Sequence, residues 1–195
     1  MTCHQIVPGL VVTTAMYDGV NAVLGQIAPE HRLTWEQFVD PARWCLVPDP
    51  DAVAYKAEYV LLRTIVRTLK INVWFGPDLR VHSHPWIEFT SHVIAGAITE
   101  DRHVLQPDGR IHSTVLTHEA GEDYTLPGEE YHQVTTVLDP GRTVTLMDCG
   151  PWEPDSWDNL DPATGVRTPN VPDPGFRQRL QRLNPHLEFS EPAGV

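Results

Sequence analysis

The sequence predicts a mainly β protein built on an antiparallel sandwich or barrel, with a helical N-terminal extension and a C-terminal loop and helix. Two observations lead to this class. After Lys70 the chain consists of short runs rich in β-branched and apolar residues, and the turn sequences PDG and DPGR separate neighbouring runs. Short strands at close spacing, joined by hairpin turns, are typical of antiparallel sandwiches and barrels. Before Lys70, the chain instead carries helix-start patterns.

Residues 1–70 are predicted to be mainly helical. Thr34 is followed three residues later by Gln37, the arrangement of a helix-capping box. Asp49 and Pro50 suit the first positions of a longer helix through "DAVAYKAEYVLLRTIVRTL". The β-branched residues near its end leave the boundary between helix and strand open.

Residues 71–149 are predicted to form the barrel. Its strands would be "KINVWF", "RVHSHPW", "EFTSHVIAGAITE", "RHVLQ", "RIHSTVLTH", "YHQVTTVL" and "TVTLMD". Residues 150–195 would add a long loop rich in Pro, Asp and Trp, followed by a helix in "DPGFRQRLQRL" that begins at Asp173 and Pro174. The length of 195 residues fits one domain, residues 1–195, with these appended segments.

Charge and composition exclude several classes of partner. The chain has 26 acidic and 14 basic residues, a formal net charge of −12, and its Lys and Arg do not cluster. We therefore expect neither nucleic acid nor an anionic membrane as a partner. No apolar run reaches the roughly 20 residues of a membrane span, and the N-terminus shows no secretory pattern. Three scattered cysteines suggest a reducing compartment, so we expect a cytoplasmic protein.

The run "VHSHPWIEFTSHVIAG" concentrates residues that bind metals. On a strand, residues two apart share a face, so His82 and His84 would project together. Glu88, on the following strand segment, could aim at the same point, and His132 could reach it from a distant strand. Each residue taken alone is more simply an ordinary surface or core side chain. The four together predict a metal site.

These residues fall in two segments that resemble the sequence motifs of the cupin family. Gly76–Gly96 is similar to the first motif, G-x5-H-x-H-x3-4-E-x6-G, although it is one residue longer. "GEDYTLPGEEYHQVTT" is similar to the second motif, G-x5-P-x-G-x2-H-x3-N, with His132 at the histidine position. Gly128 comes one place early, and Thr136 replaces the asparagine. The resemblance covers about residues 72–149.

The cupin resemblance implies a jelly-roll barrel that holds a small-molecule substrate at its mouth, commonly as a homodimer. It also implies that one divalent metal ion is bound by His82, His84, Glu88 and His132. It is nearly silent on the reaction.

Three imidazoles and one carboxylate suit Fe(II), which we favour, as well as Mn(II), Ni(II) or Zn(II). Four protein ligands leave up to two positions of an octahedron open. Iron that binds oxygen and substrate there would make the protein a dioxygenase or hydroxylase, our preferred interpretation. A redox-silent metal would support isomerisation, epimerisation or dehydration. A third alternative is a cupin that binds a small molecule without turnover, because fold alone does not fix function.

Four further residues are candidates for substrate or proton chemistry. His92 shares a strand face with Glu88 and could act as an acid or base, or could be a hydrogen-bonded wall residue. Tyr124 is a candidate catalytic phenol, and Trp86 a candidate substrate contact; either could instead be a packing residue. Arg142, ten residues after His132, has the spacing of a carboxylate-binding residue in 2-oxoglutarate oxygenases, but the turn "DPGR" also explains it.

The Pro-rich segment carries two tryptophans that could cover the site. Trp152 and Trp157 would either form a lid or fix the loop against the barrel.

Overall fold

The computed structural model describes residues 2–153, 156–171 and 173–189. Within these ranges the chain forms thirteen strands and three α-helices. In order they are β1 (Cys3–Val7), β2 (Leu10–Thr13), α1 (Thr14–Ile27), α2 (Trp35–Phe38), β3 (Trp44–Pro48), β4 (Ala54–Arg63), β5 (Thr68–Trp74), β6 (Glu88–Ala95), β7 (Ala97–Leu105), β8 (Ile111–Glu119), β9 (Asp123–Pro127), β10 (Tyr131–Val137), β11 (Thr143–Cys149), β12 (Asp158–Leu160), β13 (Arg167–Pro169) and α3 (Phe176–Leu183). The fold is mainly β, as the sequence predicts.

Two antiparallel sheets face each other and enclose the interior of the barrel. The larger is six-stranded, in the order β3-β4-β5-β11-β6-β9, and the smaller is three-stranded, in the order β10-β7-β8. His82 bridges β10 to the β12–β13 hairpin through His132 and Asn159 and so extends the smaller sheet. The inner faces touch where the rings of His118 and Tyr124 stack at 3.8 Å.

Strand β5 is buried on both faces, because a third layer covers the outside of the larger sheet. All seven of its residues are buried. Its residues Leu69, Ile71 and Val73 belong to the large apolar core beneath the N-terminal segment. The alternate residues Lys70, Asn72 and Trp74 therefore face the barrel interior, since successive side chains of a strand point to opposite faces.

The outer layer is formed by α1, α2 and the β1–β2 hairpin. Helix α1 begins at an Ncap, Thr13, whose hydroxyl accepts a hydrogen bond from the backbone of Met16. It lies against β6 so closely that a Cβ at Gly19 would stand 2.5 Å from a methyl of Ile94. Helix α2 has the capping box predicted from Thr34 and Gln37. This layer closes the outer face of the larger sheet.

The long helix predicted after Asp49 is wrong, because this segment forms the hairpin of β4 and β5. Alternate residues of β4 separate two environments: Ala57 and Tyr59 are fully buried in the outer core, while Lys56 and Glu58 face inward. Asp49 caps a turn, accepting a hydrogen bond from the backbone of Val53, and does not begin a helix. A central strand needs this period of two, and tertiary packing overrides the local helix signals.

The C-terminal segment is more ordered than a loop. It contains the β12–β13 hairpin and ends in α3, which begins at Phe176, two residues later than predicted. Asp173 caps the preceding turn through the backbone of Gly175. Residues 154, 155, 172 and 190–195 of the predicted loop and tail lie outside the described residues.

Among the helices that the structure describes, none has the length and apolar character needed to cross a membrane.

Candidate metal centre

Three of the four predicted ligands meet inside the barrel. The ligand nitrogens of His82, His84 and His132 all lie within 4.8 Å of one another. The Nε2 atoms of His84 and His132 are 2.9 Å apart. Nitrogens bound to one ion at about 2.0–2.1 Å are roughly 3 Å from each other. The three imidazoles therefore fit a divalent metal ion.

Backbone pairing brings the first motif to the second. His82 and His132 exchange two backbone hydrogen bonds of 2.9 Å each, which fixes the two histidines side by side. The next residue, Ser83, is tied to the C-terminal segment: its hydroxyl donates to the carbonyl of Ser156 at 2.7 Å. The "HSH" segment is thus held between β10 and β12 although it is not a regular strand itself.

Two of the histidines are oriented by acceptors on their other ring nitrogen. His82 Nδ1 lies 2.9 Å from the carbonyl oxygen of Arg80, and His132 Nδ1 lies 2.7 Å from Oε2 of Glu100. Neither oxygen can donate, so each Nδ1 carries the proton and each Nε2 presents a lone pair. Such a hydrogen bond behind a metal-binding histidine fixes its tautomer and increases its basicity.

His84 is held by packing. The Trp86 ring stacks on it at 5.3 Å with an interplanar angle of 22°, and Phe89 meets it edge-on at 4.7 Å. Burial lowers the pKa of His82 to about 4 and that of His84 well below its usual range. Both rings are therefore neutral near pH 7, which is the form that binds a metal.

Glu100 on β7 completes the site and was missed by the sequence analysis. Its side chain is fully buried, and its two oxygens accept hydrogen bonds from three neighbours, which are His132, His118 and Arg102. Burial acts to raise the pKa of this carboxyl, but the hydrogen bond from His132 and the Arg102 guanidinium lower it to about 2. Glu100 thus stands behind His132 as an ionised positioning residue. A carboxylate at an inward position of a strand was the one sequence signal for it.

Glu88 and His92 do not face the histidines, which corrects their predicted roles. The two share a face of β6, as predicted, but that face is the outer one. Phe89 is the inward residue, since its ring contacts both His84 and His132. Glu88 is exposed at the start of the strand and is not in the metal-binding group found among the described residues. The sequence therefore predicts the wrong face of β6 as the one that points into the barrel.

His92 has a structural environment on the outer face. It lies opposite Leu146, a residue of the outer core. Its Nδ1 is 2.7 Å from Oδ1 of the exposed Asp123. The wall-histidine alternative therefore describes it, and acid–base chemistry at the triad does not.

Tyr124 and Trp86 both lie in the barrel interior. Tyr124 stacks on His118, and the Arg102 guanidinium lies 5.3 Å from the centre of its ring. Burial and the nearby Glu100 charge raise the pKa of the phenol, so it stays protonated. Trp86 covers His84 as described above. Their placement is compatible with the roles predicted for them, which stay predictions.

Arg142 lies away from the triad and does not fit its predicted role. It is exposed in the turn between β10 and β11, whereas His132 is near the beginning of β10. It borders a different cavity, of about 700 Å³, together with residues of β2 and α1 such as Val11 and Met16. The turn explanation of "DPGR" is the correct one.

A cavity of about 170 Å³ opens beside His82. Trp157, Phe176 and the exposed Arg80 contribute to its walls. Asn159 also lines it, and its buried Oδ1 has no hydrogen-bond partner among the described residues. Trp152 instead pairs with Trp86 along the backbone. Trp157 thus borders a cavity that reaches His82, and the backbone of Trp152 joins this segment to Trp86.

The glycine of the second motif permits a close backbone approach. A Cβ at Gly128 would stand 2.1 Å from the carbonyl oxygen of Trp86. We expect Gly128→Ala to lower the free energy of unfolding by about 1–3 kcal/mol, because the segment that carries Trp86 must move away. Thermal unfolding measures this loss. Gly76→Ala, where a Cβ meets nothing within 4 Å, is the matched control; equal effects would contradict the structure.

The position of Glu88 gives a second prediction. We expect Glu88→Gln to keep the metal content of the unchanged protein, because an exposed residue outside the triad contributes no ligand. Elemental analysis after purification without added metal or chelator measures it. A clear loss of metal in this variant would restore Glu88 as the fourth ligand.

The comparisons with known proteins concern the fold. No family model matches the chain, and no curated protein does. The solved structure of Fe(II)-HppE with an alternative substrate matches 54% of this chain and 54% of its own, at 13% identity and a TM-score of 0.42. An RmlC-like cupin from Shewanella frigidimarina matches 57% of this chain and 87% of its own, at 15% identity and a TM-score of 0.41. A double-stranded β-helix protein from Klebsiella pneumoniae matches 53% and 83%, at 17% identity and a TM-score of 0.38. This chain spans about half the length of HppE.

Proposed function

We propose that this chain is a mononuclear metal-dependent enzyme that acts on a small metabolite inside the barrel. The observation that carries the proposal is the convergence of three imidazole Nε2 atoms, two of them oriented through Nδ1. A bound divalent ion would supply a Lewis acid at this point, and iron would in addition supply oxygen chemistry. The ligand set has no charge of its own, so the site favours an anionic substrate.

Within this class we propose an Fe(II)-dependent dioxygenase or hydroxylase as the first chemistry to test. Three protein ligands leave room for substrate and oxygen together. The barrel supplies an enclosed site, since His132 and His84 are only 4% and 9% exposed, which limits access of water to reactive species. Glu100 would hold His132 in place throughout the reaction.

The second candidate is a metal-dependent isomerase, epimerase or dehydratase. It is favoured by the position of Glu88 outside the site, because three histidines without a carboxylate are also the ligand set of catalytic zinc enzymes. With a redox-silent ion, the residues of the barrel would orient the substrate and exclude water. A non-catalytic binding protein is the remaining outcome of the test below.

The test combines metal analysis with a probe of open coordination positions. The protein is purified anaerobically and assayed for metal, and the iron-loaded form is then treated with nitric oxide and examined by electron paramagnetic resonance. About one equivalent of iron, a nitrosyl signal and substrate-dependent oxygen uptake support the oxygenase. Zinc, manganese or nickel with turnover that consumes no oxygen supports the second candidate. No metal after reconstitution contradicts both.

We further infer a cytoplasmic location and a homodimer. All three cysteines are free thiols, two of them at least partly buried, which suits a reducing compartment. The homodimer rests on the sequence resemblance to cupins, and light scattering after size exclusion tests it. The absence of nucleic-acid and membrane partners stays a prediction from the charge of the chain.

A further inference from the structure

Both lysines of the chain lie inside the barrel. Of the 14 basic residues only Lys56 and Lys70 are lysines, and the others are arginines. Their side chains are 15% and 10% exposed. Lysine is a surface residue in most proteins and is rarely buried unless it is paired. Because both lysines lie in the interior, their role is other than to make the surface soluble.

The two ammonium groups share one carboxylate. Lys56 Nζ is 3.1 Å and Lys70 Nζ is 3.2 Å from Oε1 of Glu58. Burial acts to raise the pKa of Glu58, but the two ammonium groups lower it well below its usual range, so this carboxyl is ionised. These three groups alone carry a net charge of +1, and the buried carboxylate of Asp78 also acts on Lys56. Buried ion clusters often add no stability over apolar residues of the same size, and charged groups held in an interior mark functional sites.

This cluster lies beside the histidine triad. The Nζ of Lys70 is 5.5 Å from the centre of the Trp86 ring, and that ring stacks on His84. Lys70 is also opposite Met147, which packs with Trp86 in one cluster. One aromatic ring therefore lies between the ammonium group of Lys70 and the nearest histidine of the triad.

An unpaired acceptor lies next to the ammonium groups. Asn72 is fully buried and stands opposite Glu58 in the register of β4 and β5. Its Nδ2 donates to the hydroxyl of Thr145 at 3.4 Å, but its Oδ1 has no partner among the described residues. A buried acceptor without a donor is costly. A donor on a ligand, such as a hydroxyl, would satisfy it.

We propose that Lys56, Lys70 and Asn72 form a subsite for a small hydroxycarboxylate, whose carboxylate binds the ammonium groups and whose hydroxyl donates to Asn72. A carboxylate fits better than a phosphate, because Glu58 and the nearby Asp78 already offset much of the positive charge of the two lysines and leave at most one negative charge to be balanced. The inference rests on the proposed function, since it names the substrate class of the same site. The remainder of the substrate then extends past Trp86 toward the triad.

Two lysines make the test direct. The metal-free chain with 13C,15N-labelled lysine gives two sets of side-chain resonances, which Lys70→Met would assign. We expect glycolate to shift both sets in a saturable way, methyl glycolate to leave them unchanged, and inorganic phosphate to act more weakly than glycolate. No response to glycolate, an equal response to the ester, or a stronger response to phosphate would overturn the proposal.

Variants separate binding from folding. Lys70→Met should weaken glycolate binding by about tenfold or more, the usual effect of losing a charged hydrogen bond. Glu58→Gln should strengthen it, because the cluster then carries two positive charges; a purely structural cluster would show no gain. Arg142→Met, in an exposed turn, is the control and should change nothing. If Lys70→Met does not fold, the wild-type titration still decides.

The outcome is distinguishable from that of the proposed function. A protein that binds metal and turns over substrate, but whose lysine resonances ignore carboxylates, overturns the subsite alone. A protein whose lysines respond to glycolate but which takes up no metal retains the subsite and overturns the enzyme.

Discussion

Replacing His132 by alanine is expected to reduce the bound metal to near background while the far-ultraviolet circular dichroism spectrum stays almost unchanged. The variant removes one of three converging nitrogens and leaves two imidazoles, too few to hold a divalent ion tightly. The fold should persist, because Glu100 retains Arg102 and His118 as partners. Elemental analysis of protein purified without added metal measures the loss.

The matched control is His112→Ala on β8, which removes an exposed histidine far from any motif. It should leave the metal content unchanged. Retention of full metal by His132→Ala would mean that the second motif has been misinterpreted and that the triad is not the metal site.

Glu100→Gln is expected to lower both metal affinity and stability. His132 would lose its ionised acceptor, and a change behind a metal-binding histidine typically costs about 10–100-fold in metal affinity. Arg102, whose side chain is 15% exposed, would lose its closest counter-ion, and breaking a buried pair costs about 3–5 kcal/mol. Competition with a chelator and urea denaturation measure the two effects. Glu129→Gln, at an exposed position, is the control.

The same variant should change how stability depends on pH. The pKa of Glu100 is about 2 in the folded protein, below the value of about 4.3 expected when unfolded. Its ionised form therefore stabilises the fold at every pH above about 4.3, by about 3 kcal/mol, and this contribution is lost as the pH falls toward 2. The difference in free energy of unfolding between the unchanged protein and Glu100→Gln should shrink over that range. A constant difference would show that Glu100 is not ionised in the fold.

The sequence identified the histidines but not the carboxylate beside them. His82, His84 and His132 are specified by their spacing within two short motifs, and this spacing does not depend on which face of a strand points inward. The predicted role of Glu88 does depend on it. Pro85 interrupts the strand, and the chain resumes with Phe89 facing inward, which no local pattern reveals.

Glu100 lies outside both motifs, and its role follows from strand pairing. It is placed beside His132 because β7 and β10 are neighbours in register, with Glu100 opposite Val134. Sequence alone gives no such pairing.

The fold was predictable where turns are explicit and not where the spacing of apolar residues fits both a helix and a strand. The hairpin at PDG, which joins β7 and β8, is the one predicted. DPGR forms a turn but no hairpin, because it carries the chain from β10 in the smaller sheet to β11 in the larger one. Strand β4 was mistaken for a helix because apolar residues such as Tyr55, Tyr59 and Leu62 partly follow helical spacing after the helix-start residues Asp49 and Pro50. Most of β5 was predicted correctly, as the strand "KINVWF". The capping box at Thr34 is a local interaction, and it was therefore predicted correctly.

Because the two lysines lie in the interior, the rate at which they are acylated reports local opening of the barrel. Reagents that acylate free amines would modify Lys56 and Lys70 slowly, because both lysines are paired and mostly covered. Each modification would proceed only when a local opening separates the lysine from Glu58. The rate of lysine modification, followed by mass spectrometry, therefore measures the rate of local opening. Bound metal or substrate should lower this rate.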